Sequence, residues 1–194
     1  MVNLHRAAWP ITLISGEITL QPMRLRDRNK WYSVRTRNRE WLEPWEATLP
    51  RVPNDKSNPE LPKFFEMVAA HNREGRTGRS LSLVIWRKGE LIGQISMSGI
   101  IYGALRGAQI GYWIDSAHAN QGITTDVVKI VTKYGFEVLG LHRIEINLRP
   151  ENGASRRVAE KAGYHFEGER ARYLHIDGQW RDHLCFVQEN PKIN

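Results

Sequence analysis

The chain has 194 residues, of which 41% are hydrophobic and 25% are charged, the composition of a water-soluble globular domain. No apolar run approaches the roughly 20 residues of a membrane-spanning helix, and the first six residues lack the apolar stretch of a signal peptide. The single cysteine, Cys185, excludes an intramolecular disulfide and a multi-cysteine metal site. These observations predict one cytoplasmic domain over residues 1–194, with no membrane partner.

The formal net charge of +7 is concentrated in one segment. Residues 24–39 carry seven Lys and Arg side chains against Asp27 alone, and the rest of the chain is close to neutral. Clustered cations attract phosphate, so weak contact with RNA or the ribosome is one interpretation. We favour a helix with a solvated basic face, because apolar residues recur at helical spacing and would bury the other side. These residues are Trp31, Val34, Trp41 and Leu42.

The first half of the chain mixes strand and helix patterns, interrupted by prolines. The lysine, glycine and glutamate at 88–90, placed between two alternating apolar runs, are typical of a β-hairpin. We expect a strand at 17–23, a helix over the basic segment, a loop with prolines at 44, 50, 53 and 59, a helix at 60–74, and strands at 80–86, 91–97 and 109–115.

The second half alternates helix and strand patterns, which predicts a mixed α/β domain. Asn152 is placed to cap a helix, and Gly163 ends it. We expect a helix at 124–139, a strand at 143–149, a helix from 152 to 162, and extended segments at 164–168, 173–176 and 180–187. We find no internal repeat and no linker long enough to divide the chain.

The most informative junction runs from the strand at 109–115 through a loop into the helix at 124–139. Free backbone N–H groups and the positive end of the helix dipole at such a junction form an anion site that suits a pyrophosphate. Gly122 permits close approach of the backbone, and Thr124 and Thr125 add hydroxyl groups. The alternative interpretation is ordinary helix capping.

Several motifs in order resemble the GNAT superfamily of acetyl-CoA-dependent N-acetyltransferases, and within it the RimJ/RimL branch of ribosomal-protein N-terminal acetyltransferases. The detailed similarity spans residues 109–187. Upstream, residues 20–23 and 38–45 also resemble the opening strand and the tryptophan-bearing substrate loop of that branch. The motifs are GYWID at 111–115, QGITT at 121–125, LHRIE at 141–145, PENGASR at 150–156, EKAGYHFEG at 160–168 and DGQWRDH at 177–183.

The resemblance implies a mixed, mostly antiparallel sheet that is splayed at its centre and flanked by helices. Acetyl-CoA would lie between the strands at 109–115 and 143–149, with its pantetheine paired to the backbone of Trp113 and Ile114. The pyrophosphate would rest on five backbone amides, those of Gln121, Gly122, Ile123, Thr124 and Thr125. The chain departs from the family's Gln/Arg-x-x-Gly-x-Gly/Ala signature at Ala119 and Thr124, which predicts weaker or reshaped binding.

Acetyl transfer also needs a proton for the departing thiolate. The tyrosine that other relatives place on the helix after the Asn corresponds to Ala159 here. The resemblance makes Ser155 the replacement, and Asn152 a ligand of pantetheine or of the amine. A hydroxyl bonded to the helix backbone and a helix cap are the alternative roles of these two residues.

The base is less well defined by the sequence. The glutamate used by RimL-like relatives corresponds to Leu174 here. Glu145 on the central strand, or Glu43 and Glu46 beside the tryptophans, would take the proton directly or through water, although we favour an ordinary surface or structural role for each of them. An N-terminal amine has an ordinary pKa of about 8 and needs little help from a base, whereas lysine at about 10.4 needs more.

The sequence also suggests roles for two tryptophans and for the histidines. Trp41 and Trp45 bracket Pro44 and form either a wall of the substrate site, together with Glu43, or a core anchor. The seven histidines, including the N-terminal His5, show no metal-ligand spacing, so no metal is expected. For His175 and His183, which flank the turn at 177–178, we favour a structural pairing.

The sequence therefore predicts transfer of an acetyl group from acetyl-CoA to the N-terminal α-amine of a ribosomal protein. A lysine or small-molecule amine is the alternative acceptor. A catalytically weak RNA- or ribosome-binding module on the same fold is the alternative class, motivated by the departures at Ala119, Thr124, Ala159 and Leu174. The oligomeric state, monomer or homodimer, stays open.

Overall fold

The computed structural model describes residues 9–53 and 62–193. Within these residues, eight strands form one sheet in the order β1-β2-β3-β4-β5-β6-β8-β7. The strands are β1 Leu13–Ser15, β2 Ile18–Pro22, β3 Leu81–Arg87, β4 Glu90–Ile101, β5 Gly107–Ile114, β6 Arg143–Leu148, β7 His165–Ile176 and β8 Gln179–Glu189. The α-helices are α1 Arg28–Arg37, α2 Arg39–Leu42, α3 Phe64–Thr77, α4 Ile123–Glu137 and α5 Gly153–Lys161.

Helices cover both faces of the sheet, each through its own apolar residues. On one face α4 buries Val127 and Val131 in the main core, and Gly135 faces the sheet from the same helix. A Cβ at Gly135 would lie 2.7 Å from methyl carbons of both Ile144 and Met97, so a larger residue here would require these two side chains to move. On the other face α1 and α3 bury a second cluster, which contains Met23, Val34, Phe64, Val68, Val84 and Leu91.

The sheet divides at its centre. Every neighbouring pair of strands is antiparallel except β5 and β6, which are parallel. These two pair over three residues only, Gly107–Gln109 of β5 with Arg143–Glu145 of β6. Beyond Gln109 and Glu145 the strands separate, which confirms the predicted mixed sheet with a splayed centre.

One end of the gap is held by a buried acidic residue. The carboxylate of Asp115, directly after β5, accepts hydrogen bonds from Arg37 and, at 2.8 Å, from Asn38. Asn38 in turn accepts a bond from the backbone N–H of Ser116 at 2.9 Å. Burial alone would raise the pKa of Asp115, but the hydrogen bonds from Arg37, Asn38 and Ala117 lower it overall. The end of α1 is thereby fixed to the end of β5.

Residues 37–48, which we call the bridging segment, continue from this point across the gap. The guanidinium of Arg149, directly after β6, donates to the carbonyl of Pro44 at 2.7 Å and stacks 5.3 Å from the centre of the Trp45 ring. Further on, Ala47 pairs with Ile176 of β7. The bridging segment thus connects the ends of the two separated strands.

The elements differ from the prediction at several boundaries. Strand β1 was not expected, because its three residues are half-buried or exposed and carry no clear alternation. The two extended segments predicted at 164–176 form one strand, β7, with a register shift between Arg170 and Leu174. The helix expected at 60–74 is α3, which begins at Phe64, whereas Pro59 and Glu60, like His5, lie outside the described residues.

The basic face predicted for residues 24–39 is largely exposed, although two of its arginines also make fixed contacts. Arg35 pairs with Glu46 and lies over the rings of Trp31 and Trp113, and Arg37 is bonded to Asp115. Trp41 was expected to be buried but is 42% exposed. The cationic side chains are therefore partly used to fix the helix and the bridging segment, which the helical period alone does not reveal.

Candidate active site

The start of α4 presents unpaired backbone amides. Gly122 takes a left-handed conformation at φ +78° and leads into the helix without a side-chain cap, and its carbonyl accepts the N–H of Asp126. The amides of the first turn, from Ile123 to Thr125, have no partner within an α-helix. They lie at the positive end of the helix dipole, so this loop has the donors and the field that a pyrophosphate requires.

A cavity and several cationic side chains lie beside these amides. A cavity of about 380 Å³ extends from the loop along β5 to α5. Arg157 and Lys161 of α5 line it, and Arg87 is held at the loop by a 2.7 Å bond to the side chain of Gln121. Ala119 packs on the core and Thr124 lines the cavity, so neither departure from the family signature closes it. The residues present fit a polyphosphate.

The free edge of β5 forms one side of this cavity. The N–H of Asp115 donates to the carbonyl of Ile92 in β4, and backbone direction alternates along a strand, so the backbone of Ile114 points into the gap. Its carbonyl accepts a bond from the Trp41 indole at 3.2 Å. The same alternation directs the backbone of Trp113 toward β4. Its expected pairing with pantetheine stays a prediction, and Trp113 lines the cavity.

A second cavity, of about 230 Å³, lies on the other side of the gap, between the bridging segment, β6 and the β7–β8 hairpin. Both cavities are lined by the same four residues: Trp45, Tyr112, Asn152 and Ser155. These residues therefore mark the point where a ligand lying along β5 would meet a second molecule that enters from the opposite side. We call this second space the acceptor cavity.

A hydroxyl pair stands at this junction. The hydroxyl of Ser155 lies 2.9 Å from the Tyr112 hydroxyl, not on the helix backbone. Burial raises the pKa of Tyr112 to about 12, and the bond to Ser155 opposes this. Tyr112 is therefore a neutral phenol that can donate to or accept from Ser155. The position that matches the helix tyrosine of other relatives is Ala159, which is fully buried. The tyrosine hydroxyl beside Ser155 belongs instead to Tyr112 of β5.

Asn152 is the helix cap, one of its two expected roles. Its side-chain oxygen accepts the backbone N–H of Ser155 at 2.9 Å and begins α5. This bond leaves the amide nitrogen of Asn152 available to a ligand. Tyr112 was not identified as a site residue from the sequence, because its partner lies 43 residues away and only the fold brings the two together.

The expected carboxylates are engaged in ion pairs. Glu145 lies between Arg143 at 2.9 Å and Arg170 at 2.8 Å and accepts a bond from Asn147. Burial alone would raise the pKa of Glu145, but these cations and the Asn147 bond lower it overall, which makes the carboxylate a weak proton acceptor. Glu46 pairs with Arg35, and Glu43 is exposed and 3.9 Å from Arg39.

The two tryptophans expected at the substrate site line the first cavity, and Trp45 also lines the acceptor cavity. Leu174, at the position of the glutamate in RimL-like relatives, faces the acceptor cavity too. In the part of the chain that the structure describes, no helix is long and apolar enough to cross a membrane. Among the same residues, no group of three His, Cys, Asp or Glu side chains is placed to hold a metal ion.

A helix start with free backbone amides and a splayed parallel strand pair are the features expected of an enzyme that binds a nucleotide-linked acyl carrier. The acetyltransferase (GNAT) domain family matches residues 17–165, and the chain belongs to this family. It is an N-acetyltransferase that uses acetyl-CoA.

Individual relatives agree with this assignment. The structure of Mycobacterium smegmatis RimJ in complex with CoA-disulfide is 36% identical, with a TM-score of 0.83, and the similarity covers 95% of this chain and 90% of that one. The [ribosomal protein uS5]-alanine N-acetyltransferase of Escherichia coli (strain K12) is 26% identical over 85% of this chain and 84% of its own length. The Bacillus subtilis (strain 168) protein named probable N-acetyltransferase YjcK is 48% identical, over 52% of this chain and 56% of its own length.

Substitution of Gly122 by valine tests the phosphate loop. A side chain at φ +78° is strained although no atom lies within 4 Å of the added Cβ, so the expected effect is a displaced loop, not a collision. We expect the dissociation constant for coenzyme A, measured by calorimetry, to rise at least about tenfold. Gly103→Val is the matched control, since Gly103 has φ +79° and equal space in the turn between β4 and β5, at the opposite end of β5 from the loop. Equal coenzyme A affinity in both variants would contradict this assignment.

Proposed function

We propose that the enzyme acetylates the N-terminal α-amine of a ribosomal protein. The observation that carries this proposal is the composition of the acceptor cavity. Among the described residues, no Asp or Glu lines it, and the one Lys or Arg that does is Arg149. Apolar side chains make up much of the remaining wall, namely Trp45, Ala47, Ile110, Ile146, Leu148, Leu174 and Ile176.

This wall suits a short, uncharged chain start better than a polycation. A polyamine or a lysine-rich segment carries further cations, which are stabilised by carboxylates and repelled by a nearby guanidinium. Among the described residues, the Lys or Arg side chain that lines this cavity is Arg149, and its positive charge would repel these cations. An α-amine followed by a small side chain needs no second charge, and at an ordinary pKa of about 8 part of it is already neutral at physiological pH.

The relatives also support this acceptor. The Mycobacterium smegmatis neighbour is named RimJ, and the Escherichia coli enzyme is named for alanine of ribosomal protein uS5. A ribosomal acceptor would place the enzyme in the cytoplasm. Six of the seven Lys and Arg residues in the basic segment are exposed, all but Arg35. Any additional contact with ribosomal RNA through them would be weak and salt-dependent.

The proposed mechanism uses the junction residues. The thioester supplies an activated acetyl carbonyl, and the edge of β5 and the amides after Gly122 hold its carrier. The amide nitrogen of Asn152 is available to orient the carrier or the amine. Ser155 gives its hydroxyl proton to the departing thiolate, and Tyr112 supports Ser155 through their 2.9 Å hydrogen bond.

A peptide panel tests the acceptor. We expect acetyl-CoA turnover with peptides that begin with Ala or Ser, and mass spectrometry should place the acetyl group on the α-amine. The controls are the same peptides blocked at the N-terminus but carrying an internal lysine, and spermidine. Acetylation of the blocked peptides or of spermidine, with none at the α-amine, would overturn the proposed acceptor.

Substitution at Ser155 tests the proton donor. Ser155→Ala should lower kcat by about 100-fold, the size of a general-acid contribution, with little change in KM for acetyl-CoA. Tyr112→Phe should lower kcat less, because it removes the hydrogen bond to Ser155 but leaves the Ser155 hydroxyl in place. Ser98→Ala, at an exposed position on β4, is the matched control. An unchanged kcat in Ser155→Ala would remove Ser155 from the mechanism.

A further inference from the structure

We propose that His183 is the catalytic residue that accepts the proton lost by the attacking amine. The inference depends on the N-acetyltransferase activity of the family, and it extends the proposed function by assigning the base of the acceptor site. It replaces the structural pairing with His175 that the sequence favoured. His175 instead bonds the hydroxyl of Thr48 at 2.7 Å.

The fold places His183 in the acceptor cavity. The residue lies on β8, is 3% exposed, and lines this cavity together with Ser155 and Tyr112. The proposed base, His183, and the proposed acid, Ser155, thus line the same small cavity of about 230 Å³. The amine that enters this cavity would have the hydroxyl pair and the imidazole on its walls.

The hydrogen bonding of the ring defines its tautomer. Nδ1 of His183 lies 3.0 Å from the backbone carbonyl of Arg181. A carbonyl only accepts hydrogen bonds, so we assign the proton to Nδ1, which leaves the lone pair of Nε2 free. No side chain in the described part of the chain donates to Nε2. The ring is also held edge-on against Tyr173, with 5.7 Å between centroids, so its orientation is fixed.

The surrounding charges keep the ring neutral. Burial is the largest influence and lowers the pKa of His183, and the positive charge of Arg149 after β6 lowers it further. The bond to the Arg181 carbonyl and the charges of Asp182 and Glu151 act in the opposite direction but do not reverse the shift. From β7, Arg170 is the cross-strand partner of His183, and its guanidinium is paired with Glu145 at 2.8 Å.

The carboxylates expected to act as the base are paired with arginines or missing. Glu145 is held between Arg143 and Arg170, and Glu46 is paired with Arg35. Leu174 occupies the position of the carboxylate expected from RimL-like relatives. Among the described residues that line the acceptor cavity, His183 is therefore the side chain best suited to take a proton at neutral pH.

The proton transfers of the reaction balance when His183 is the base. The amine nitrogen forms a bond to the acetyl carbon, and its N–H becomes far more acidic as the nitrogen gains positive charge. Nε2 of His183 takes this proton while the carbon–sulfur bond breaks and the sulfur takes the proton of Ser155. His183 then releases its proton to solvent and Ser155 regains one, so the products are the amide and the free thiol.

The experiment uses His183→Asn, because an asparagine amide can keep the bond to the Arg181 carbonyl but cannot accept the proton. We expect kcat to fall by about 100-fold or more, while the affinity for coenzyme A changes less than about twofold. In the native enzyme kcat should fall on acidification with a midpoint below 6.5, the ordinary histidine value, as His183 becomes protonated. The His183→Asn variant should not show this fall of kcat on acidification.

The control is His165→Gln, at an exposed position on β7, which should match the native enzyme. A His183→Asn enzyme that binds coenzyme A normally and keeps kcat within about threefold would overturn the proposal. The assay uses whichever amine of the panel the native enzyme acetylates. Exclusive lysine acetylation would therefore refute the proposed α-amine acceptor and still test His183.

A measurement on the native protein covers the case in which the variant does not fold or no acceptor is found. Nitrogen-15 NMR of the histidine rings should show His183 at pH 7 with Nδ1 protonated and Nε2 unprotonated. Its midpoint of titration should lie below 6.5, the ordinary histidine value. A ring that is protonated at pH 7, or that carries its proton on Nε2, would overturn the proposal.

Discussion

The site depends on the short pairing of β5 with β6. Three residue pairs hold the two halves of the sheet together, and beyond Gln109 and Glu145 the strands separate. Separated strands leave backbone groups without partners, so the gap persists only if its ends are fixed elsewhere. The bridging segment supplies this restraint, because Asp115 binds it at the end of β5 and Arg149 binds it at the end of β6.

This arrangement separates the two reactants and lets them meet at one place. In the proposed arrangement the carrier would lie along the free edge of β5, with its phosphates at the start of α4, and the amine would enter from the side of the bridging segment. Trp45, Tyr112, Asn152 and Ser155 line both spaces, so the proposed chemistry would take place at their junction. Within the described part of the chain no carboxylate lines the acceptor cavity, which favours an acceptor without additional positive charge.

Local sequence predicted the features that depend on local structure. Gly122 and Asn152 were identified because a left-handed helix start and a helix cap are encoded by the residues themselves. The Tyr112–Ser155 pair was missed, because strand and helix patterns do not reveal which distant residues meet. The backbone direction of Trp113 depends on the register with β4, which a one-residue shift would reverse.

The most direct test of this account is a crystal structure of the protein with coenzyme A. The account predicts pantetheine in the gap between β5 and β6, bonded to the backbone of Ile114, the pyrophosphate on the amides from Gln121 to Thr125, and the sulfur beside Ser155. Coenzyme A bound outside this gap, or a gap closed by side chains in the complex, would contradict it.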